Sequence, residues 1–204
     1  MNLSLLGAGK IALSILFVLS LSACFPTSQH PIEGNPMYNL DGTFSGIWKG
    51  ELSDGPVTIL FIQQSQDDTG TFHIGGLLVR HHEERPSLNE GWLEFEGEVV
   101  IIRDETFLSA QLNQMGDAPV AAEEKGYYLF RLVLEENSMS VLGLNALVTA
   151  ELVNRGALEG TVNRSQTAPS VRLTSNGAAL REFLNTANLE ELFSSAFAQL
   201  IRTQ

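Results

Sequence analysis

One cysteine, 12 basic residues and 2 tryptophans in 204 positions set the first limits on this chain. With Cys24 as its only thiol, the chain cannot close an internal disulfide. A domain folded beyond it has neither a cross-link nor a cysteine nucleophile, so core burial and hydrogen bonding must supply its stability. Lys and Arg are scattered among 24 acidic residues, for a formal charge of −12. Phosphate binding needs a basic stripe, so nucleic acid is excluded as a partner. Neither G-x-S-x-G, nor a Ser and Lys at active-site spacing, nor H-E-x-x-H occurs. "GAGK" at residues 7–10 lacks the other glycines and the Ser or Thr of a phosphate loop, and it leads into an apolar run. No cofactor or resident metal is expected, and no catalytic residue is assigned.

What is present begins with that apolar run. Lys10 and the terminal amine precede Ile11 to Leu21, which small residues follow. This is the three-part layout of a secretory leader, too short to span a bilayer of roughly 30 Å as a stable helix. Leu21-Ser22-Ala23-Cys24 resembles the lipobox of bacterial lipoproteins. The resemblance implies that Cys24 carries a thioether-linked diacylglycerol, that residues 1–23 are removed, and that the new amine takes a fatty acid such as palmitate. Two or three chains hold a protein on a membrane where one does not, since each buried methylene contributes about 0.8 kcal/mol. Loss of Lys10 with the leader leaves 11 basic residues against 24 acidic ones, a charge of −13. Phe25 follows the cysteine where enteric inner-membrane lipoproteins carry Asp. In a source with two membranes the resemblance therefore implies an outer-membrane anchor facing the periplasm.

Residues 24–41, with three prolines and no sustained periodicity, read as the lipidated cysteine and a flexible tether. Residues 42–174 read as short strands broken by turn signals such as "SDGP", "SQDDTG" and "EN". The clearest alternation is "GWLEFEGEVVIIR", with Leu93, Phe95 and Gly97 on one face and Glu94, Glu96 and Glu98 on the other. "ALVTAELV" at 146–153 suits a helix by composition, but it sits between strands and is assigned as one. Glycines at 46, 97 and 160 each follow an apolar residue at two positions' remove inside a strand pattern, as at barrel corners. The expected fold is mainly β, an antiparallel barrel or strongly curved sheet, because closure removes exposed edges. Residues 175–204 are expected to form two helices packed on that barrel, the second carrying an apolar stripe from Leu189 to Ile201.

Gly46-Ile47-Trp48 resembles the G-x-W opening of lipocalins, in which the Trp closes one end of a ligand-binding barrel. Trp48 and Trp92 are therefore the candidate ligand-binding residues, the ligand being small and apolar or amphipathic. A competing reading is an enzyme acting on envelope glycans. Trp92, Glu94, Glu96 and Glu98 share a strand face, and neighbours roughly 6.5–7 Å apart suit a carboxylate pair in glycoside hydrolysis. A third is a scaffold or accessory lipoprotein docking on an envelope protein. His81, His82, Glu83 and Glu84 have metal-ligand chemistry without metal-ligand spacing, and read as a polar surface loop.

Overall fold

The computed structural model describes residues 25–34, 44–52, 55–63, 71–78, 92–122, 124–165 and 168–203. Residues 1–24, where the leader and lipobox are expected, and the histidine cluster at 81–82 lie outside them. The strands are β1 (Thr27–Ser28), β2 (Gly46–Leu52), β3 (Gly55–Gln63), β4 (Thr71–Leu78), β5 (Trp92–Ile102), β6 (Glu105–Met115), β7 (Ala118–Pro119), β8 (Tyr127–Leu134), β9 (Ser138–Gly143), β10 (Gly160–Asn163), β11 (Ser170–Leu173) and β12 (Ser195–Arg202). The helices are α1 (Ala146–Asn154), α2 (Gly177–Thr186) and α3 (Leu189–Leu192).

Eight strands close a barrel, as the alternation and turn spacing predict. β2 to β6 form an antiparallel meander, β6 pairs with β8, β8 with β9, and β12 fills the gap between β9 and β2. Each barrel strand thus has a partner on both sides, which removes the edges an open sheet would expose. The β5–β6 turn is made by Arg103 and Asp104, both at positive φ (52° and 62°), the backbone that continues a twisted two-residue hairpin.

Two cores lie on opposite faces of the same strands. Inside the barrel are Trp48, Phe72, Ile74, Val99, Leu108, Phe130, Leu132, Met139, Val141 and Leu200. Val100, Ile102, Phe107 and Leu129, at the alternate positions, face outward into a second layer built by residues 144–194. Strands buried on both faces read as continuous apolar runs, which is why "VVIIR" and "YYLFRLVL" lack clean alternation.

Three expected elements differ. Residues 25–34, expected within a free tether, are packed into the fold: β1 pairs with β8 and β11, and Ser28 and Ile32 are almost wholly buried. Ile32 N–H donates to Ser109 Oγ on the barrel wall at 3.0 Å. A short apolar segment with its backbone satisfied by neighbouring strands needs no periodicity of its own. Residues 146–154 are helical, because Asn145 Oδ1 accepts from Leu147 and Val148 N–H and so satisfies two orphan donors of the first turn. Residues 195–202, expected as helix, form β12. Its two ladders satisfy backbone groups on β9 and β2 as well as its own, which a surface helix would leave unpaired.

Candidate functional site

The barrel interior has two unlike ends. At the first, Trp48 is 2% exposed and its Nε1–H donates to Phe44 O at 2.9 Å. The Arg202 guanidinium lies 5.6 Å from the Trp48 ring centroid and donates to Ser45 O at 2.6 Å. Gly46 sits at φ +135°, backbone that a side chain would strain, at the start of β2. Arg202 N–H and Thr203 N–H tie the last strand to Asn137 O and Ile47 O. This end is closed by the first and last barrel strands together.

At the other end the aromatic side chains continue one another. Phe95 meets Tyr128 at 6.4 Å between ring centroids, Tyr128 meets Phe130 at 6.4 Å, Phe130 meets Phe197 at 4.9 Å, and Phe197 meets Phe25 at 5.4 Å. Phe197 is the extra residue of a bulge in β12 against β9, which turns it toward Phe130. A Cβ at Gly143 would lie 2.9 Å from the Phe25 ring, so the glycine makes room for that ring. Burial pushes the Tyr128 phenol above its ordinary pKa. It therefore keeps its proton at neutral pH and remains a hydrogen-bond donor in an apolar wall. Gly76 faces inward near this end, and among the described residues a Cβ there would meet nothing nearer than Leu93 at 3.9 Å. By contrast, one at Gly97, deeper in, would meet Leu108 at 2.8 Å and Ile74 at 3.2 Å.

Comparison with protein-family models, curated proteins and solved structures finds no match to this chain.

Of the two tryptophans, Trp48 points into the barrel and Trp92 lies on the outer wall, packed so closely on Gly75 that no Cβ fits there. The two do not meet. Glu94, Glu96 and Glu98 share Trp92's outer face. Glu96 Oε2 accepts from Asn113 Nδ2 at 3.4 Å, and Asn113 Oδ1 accepts from Lys125 Nζ at 3.1 Å. Partial burial first, and Glu96 second, push Glu98 above the usual carboxylate range. Burial, with Glu98 and Glu96 adding, also raises the Tyr127 phenol. His73 stands opposite Glu96 on β4. Among the described residues no three His, Cys, Asp or Glu side chains gather as a metal site.

A raised carboxylate pKa means the folded state holds the proton more tightly than the unfolded chain. The associated stability is present at low pH and is lost as pH rises through the folded pKa. Glu98→Gln is therefore expected to raise the melting temperature at pH 7, with the gain shrinking toward zero below about pH 4, where the unfolded carboxyl is also protonated. Thermal melts of both proteins across pH 3–8 check this; a gain independent of pH rules out titration of Glu98 as its cause.

Sequence reasoning missed Arg202, Phe25, Tyr128 and Phe197 as parts of the interior. Arg202 and Phe197 fell within the segment assigned as helix, and Phe25 within the tether. Tyr128 had a signal, since it is two positions from Phe130 on one strand and so shares its face.

Proposed function

We propose that this is a lipid-anchored protein of the bacterial cell envelope that acts by binding, holding a small apolar or amphipathic molecule at the aromatic end of its barrel. The observation that carries the binding reading is an interior closed by Trp48 at one end and lined at the other by an aromatic cluster of Phe95, Tyr128, Phe130 and Phe197. An eight-stranded barrel has space for packed side chains or one small ligand. Apolar walls with a single well-placed donor such as the Tyr128 phenol suit a chain with a polar head. The closed Trp48 end also agrees with the resemblance of Gly46-Ile47-Trp48 to lipocalins. Anchoring draws on Leu21-Ser22-Ala23-Cys24, with an outer-membrane position facing the periplasm where the source has two membranes.

A fluorescent fatty acid titrated into the protein tests the binding reading. Saturable micromolar binding is expected, and Gly76→Phe, which adds a ring to the inner face of β4 at this end, should weaken it at least tenfold while the melt stays cooperative. Absence of saturable binding, or equal affinity in the variant, overturns it. Anchoring has its own check: Cys24→Ser should abolish acylation and cutting before residue 24, seen as the intact mass of the product. A variant still cut and acylated overturns that part.

A second reading, docking of an envelope protein, draws on Ile47 and Ile201. They stand on adjacent strands of the outer wall at 45% and 61% exposure. Substituting both with Glu should abolish a partner's co-purification without affecting fatty-acid binding.

A further inference from the structure

We propose that the barrel stands directly on the membrane with its Phe25 end against the lipid surface, rather than being held off on a tether. The inference rests on acylation of Cys24 and goes beyond it, because acylation alone leaves the orientation open.

The chain leaves no slack. Cys24 precedes Phe25, and consecutive Cα atoms are about 3.8 Å apart. Phe25 is fixed by its edge-on contact with Phe197 and by its seat over Gly143. Pro26 is buried, and Thr27 and Ser28 are already paired with Tyr128 and Tyr127. A free tether of 18 residues would reach on the order of 20–25 Å. Here a lipid on residue 24 sits next to Phe25, whose ring is seated at Gly143, where β9 ends and β12 begins. Glycerol-linked chains inserted in a bilayer therefore bring that end of the barrel to the headgroups.

The direction follows from the register. β6 runs from the Arg103–Asp104 turn, at the Trp48 end, to Met115 at the Phe25 end; β8 runs back from Tyr127 to the turn beyond Leu134. Ala118 pairs with Met115 beyond the end of β6 on the Phe25 side of the barrel, and Glu136 stands in the turn at the opposite end, roughly 25 Å away for strands of this length and barrel tilt. Among the described residues, the buried side chains of residues 144–194 pack on the outer wall against Val100, Ile102, Phe107 and Leu129. The aromatic end, and any apolar molecule held there, thus faces the bilayer that supplies such molecules.

The test uses the acylated protein reconstituted into phosphatidylethanolamine and phosphatidylglycerol vesicles doped with a headgroup-attached nitroxide. Cys24 is consumed by its thioether, so Ala118→Cys and Glu136→Cys, both at exposed positions, each offer one thiol for a fluorophore. Quenching at 118 is expected to exceed that at 136 at least threefold, and a 20-residue Gly/Ser insertion between Cys24 and Phe25 should remove the difference. Equal quenching at the two positions of acylated, vesicle-bound protein overturns the orientation and leaves anchoring intact; so does a difference that survives the insertion. A protein that does not float with vesicles and keeps a free Cys24 thiol overturns the anchoring reading and this proposal together.

Discussion

Trp48→Ala is expected to destabilise the protein by about 3–5 kcal/mol, among the largest costs of any single substitution here. Three losses act together. The indole is 2% exposed at the bottom of the inner core, so removing it opens a cavity that neighbours on a closed barrel cannot collapse to fill. Phe44 O loses the donor that now satisfies it, at about 1 kcal/mol. Arg202 loses the ring beneath its guanidinium, at about 0.5–1 kcal/mol. For a domain of this size the change amounts to a fall of roughly 8–16 °C in melting temperature. Urea unfolding followed by circular dichroism measures it. Trp48→Phe keeps most of the volume and should cost less than half as much. A Trp48→Ala cost below 1 kcal/mol would show that this end of the barrel is not held by the indole.

Glu105→Ala is expected to cost about 2–3 kcal/mol, more than removal of any other single acidic side chain among the described residues. Arg131 lies on the outer face of β8, 7% exposed, beneath the second layer. Its Nε and Nη2 donate to the two oxygens of Glu105 at 2.9 and 3.0 Å, and Nη1 donates to Glu190 at 2.7 Å. The Glu105 hydrogen bond is the first cause of the raised Arg131 pKa, so the guanidinium is charged at any working pH. Without Glu105 that charge stays buried with only Glu190, whose side chain is 80% exposed and screened by water. Breaking a buried pair costs about 3–5 kcal/mol, and the 33% exposure of Glu105 lowers the expectation accordingly. Glu190→Ala should cost under about 1 kcal/mol. Arg131→Met combined with Glu105→Gln should cost less than Glu105→Ala alone, because no unpaired charge remains. Urea unfolding of the set decides the matter, and a double variant worse than the single would overturn the explanation. Arg131 joins β6 through Glu105 and α3 through Glu190, so replacing Arg131 should also loosen the second layer on the wall.

Much of the barrel is legible in the chain. Turn signals at "SDGP" and at Glu136 and Asn137 mark hairpins that exist, and the alternation of Leu93 to Glu98 assigns inner and outer faces correctly. The buried position of Trp48 was also readable from its place beside Gly46. The failures share a cause: local pattern cannot see a neighbour distant in sequence. Leu189, Leu192, Phe193, Phe197 and Leu200 satisfy a helical period, yet Ala198 and Leu200 face the core because β12 lies between β9 and β2. Asn145, a capping residue ahead of 146–154, is a local signal for the helix that competes with the β-branched residues following it. The Trp92, Glu94, Glu96 face was legible as a face, and its position on the outer wall, apart from Trp48, was not.

By itself the sequence determined an acidic chain whose single cysteine can close no internal disulfide, and an antiparallel β domain with a buried tryptophan in its first strand. These follow from composition, short spacing and period, which are local properties. Only the tertiary structure decided that Phe25 is a fixed part of the barrel's aromatic end instead of the start of a free linker. That outcome depends on Phe197 and Gly143, more than a hundred residues away, presenting a ring and a vacancy at one place. A side chain's burial is set by what the fold brings to it, and no window of sequence around Cys24 contains that information.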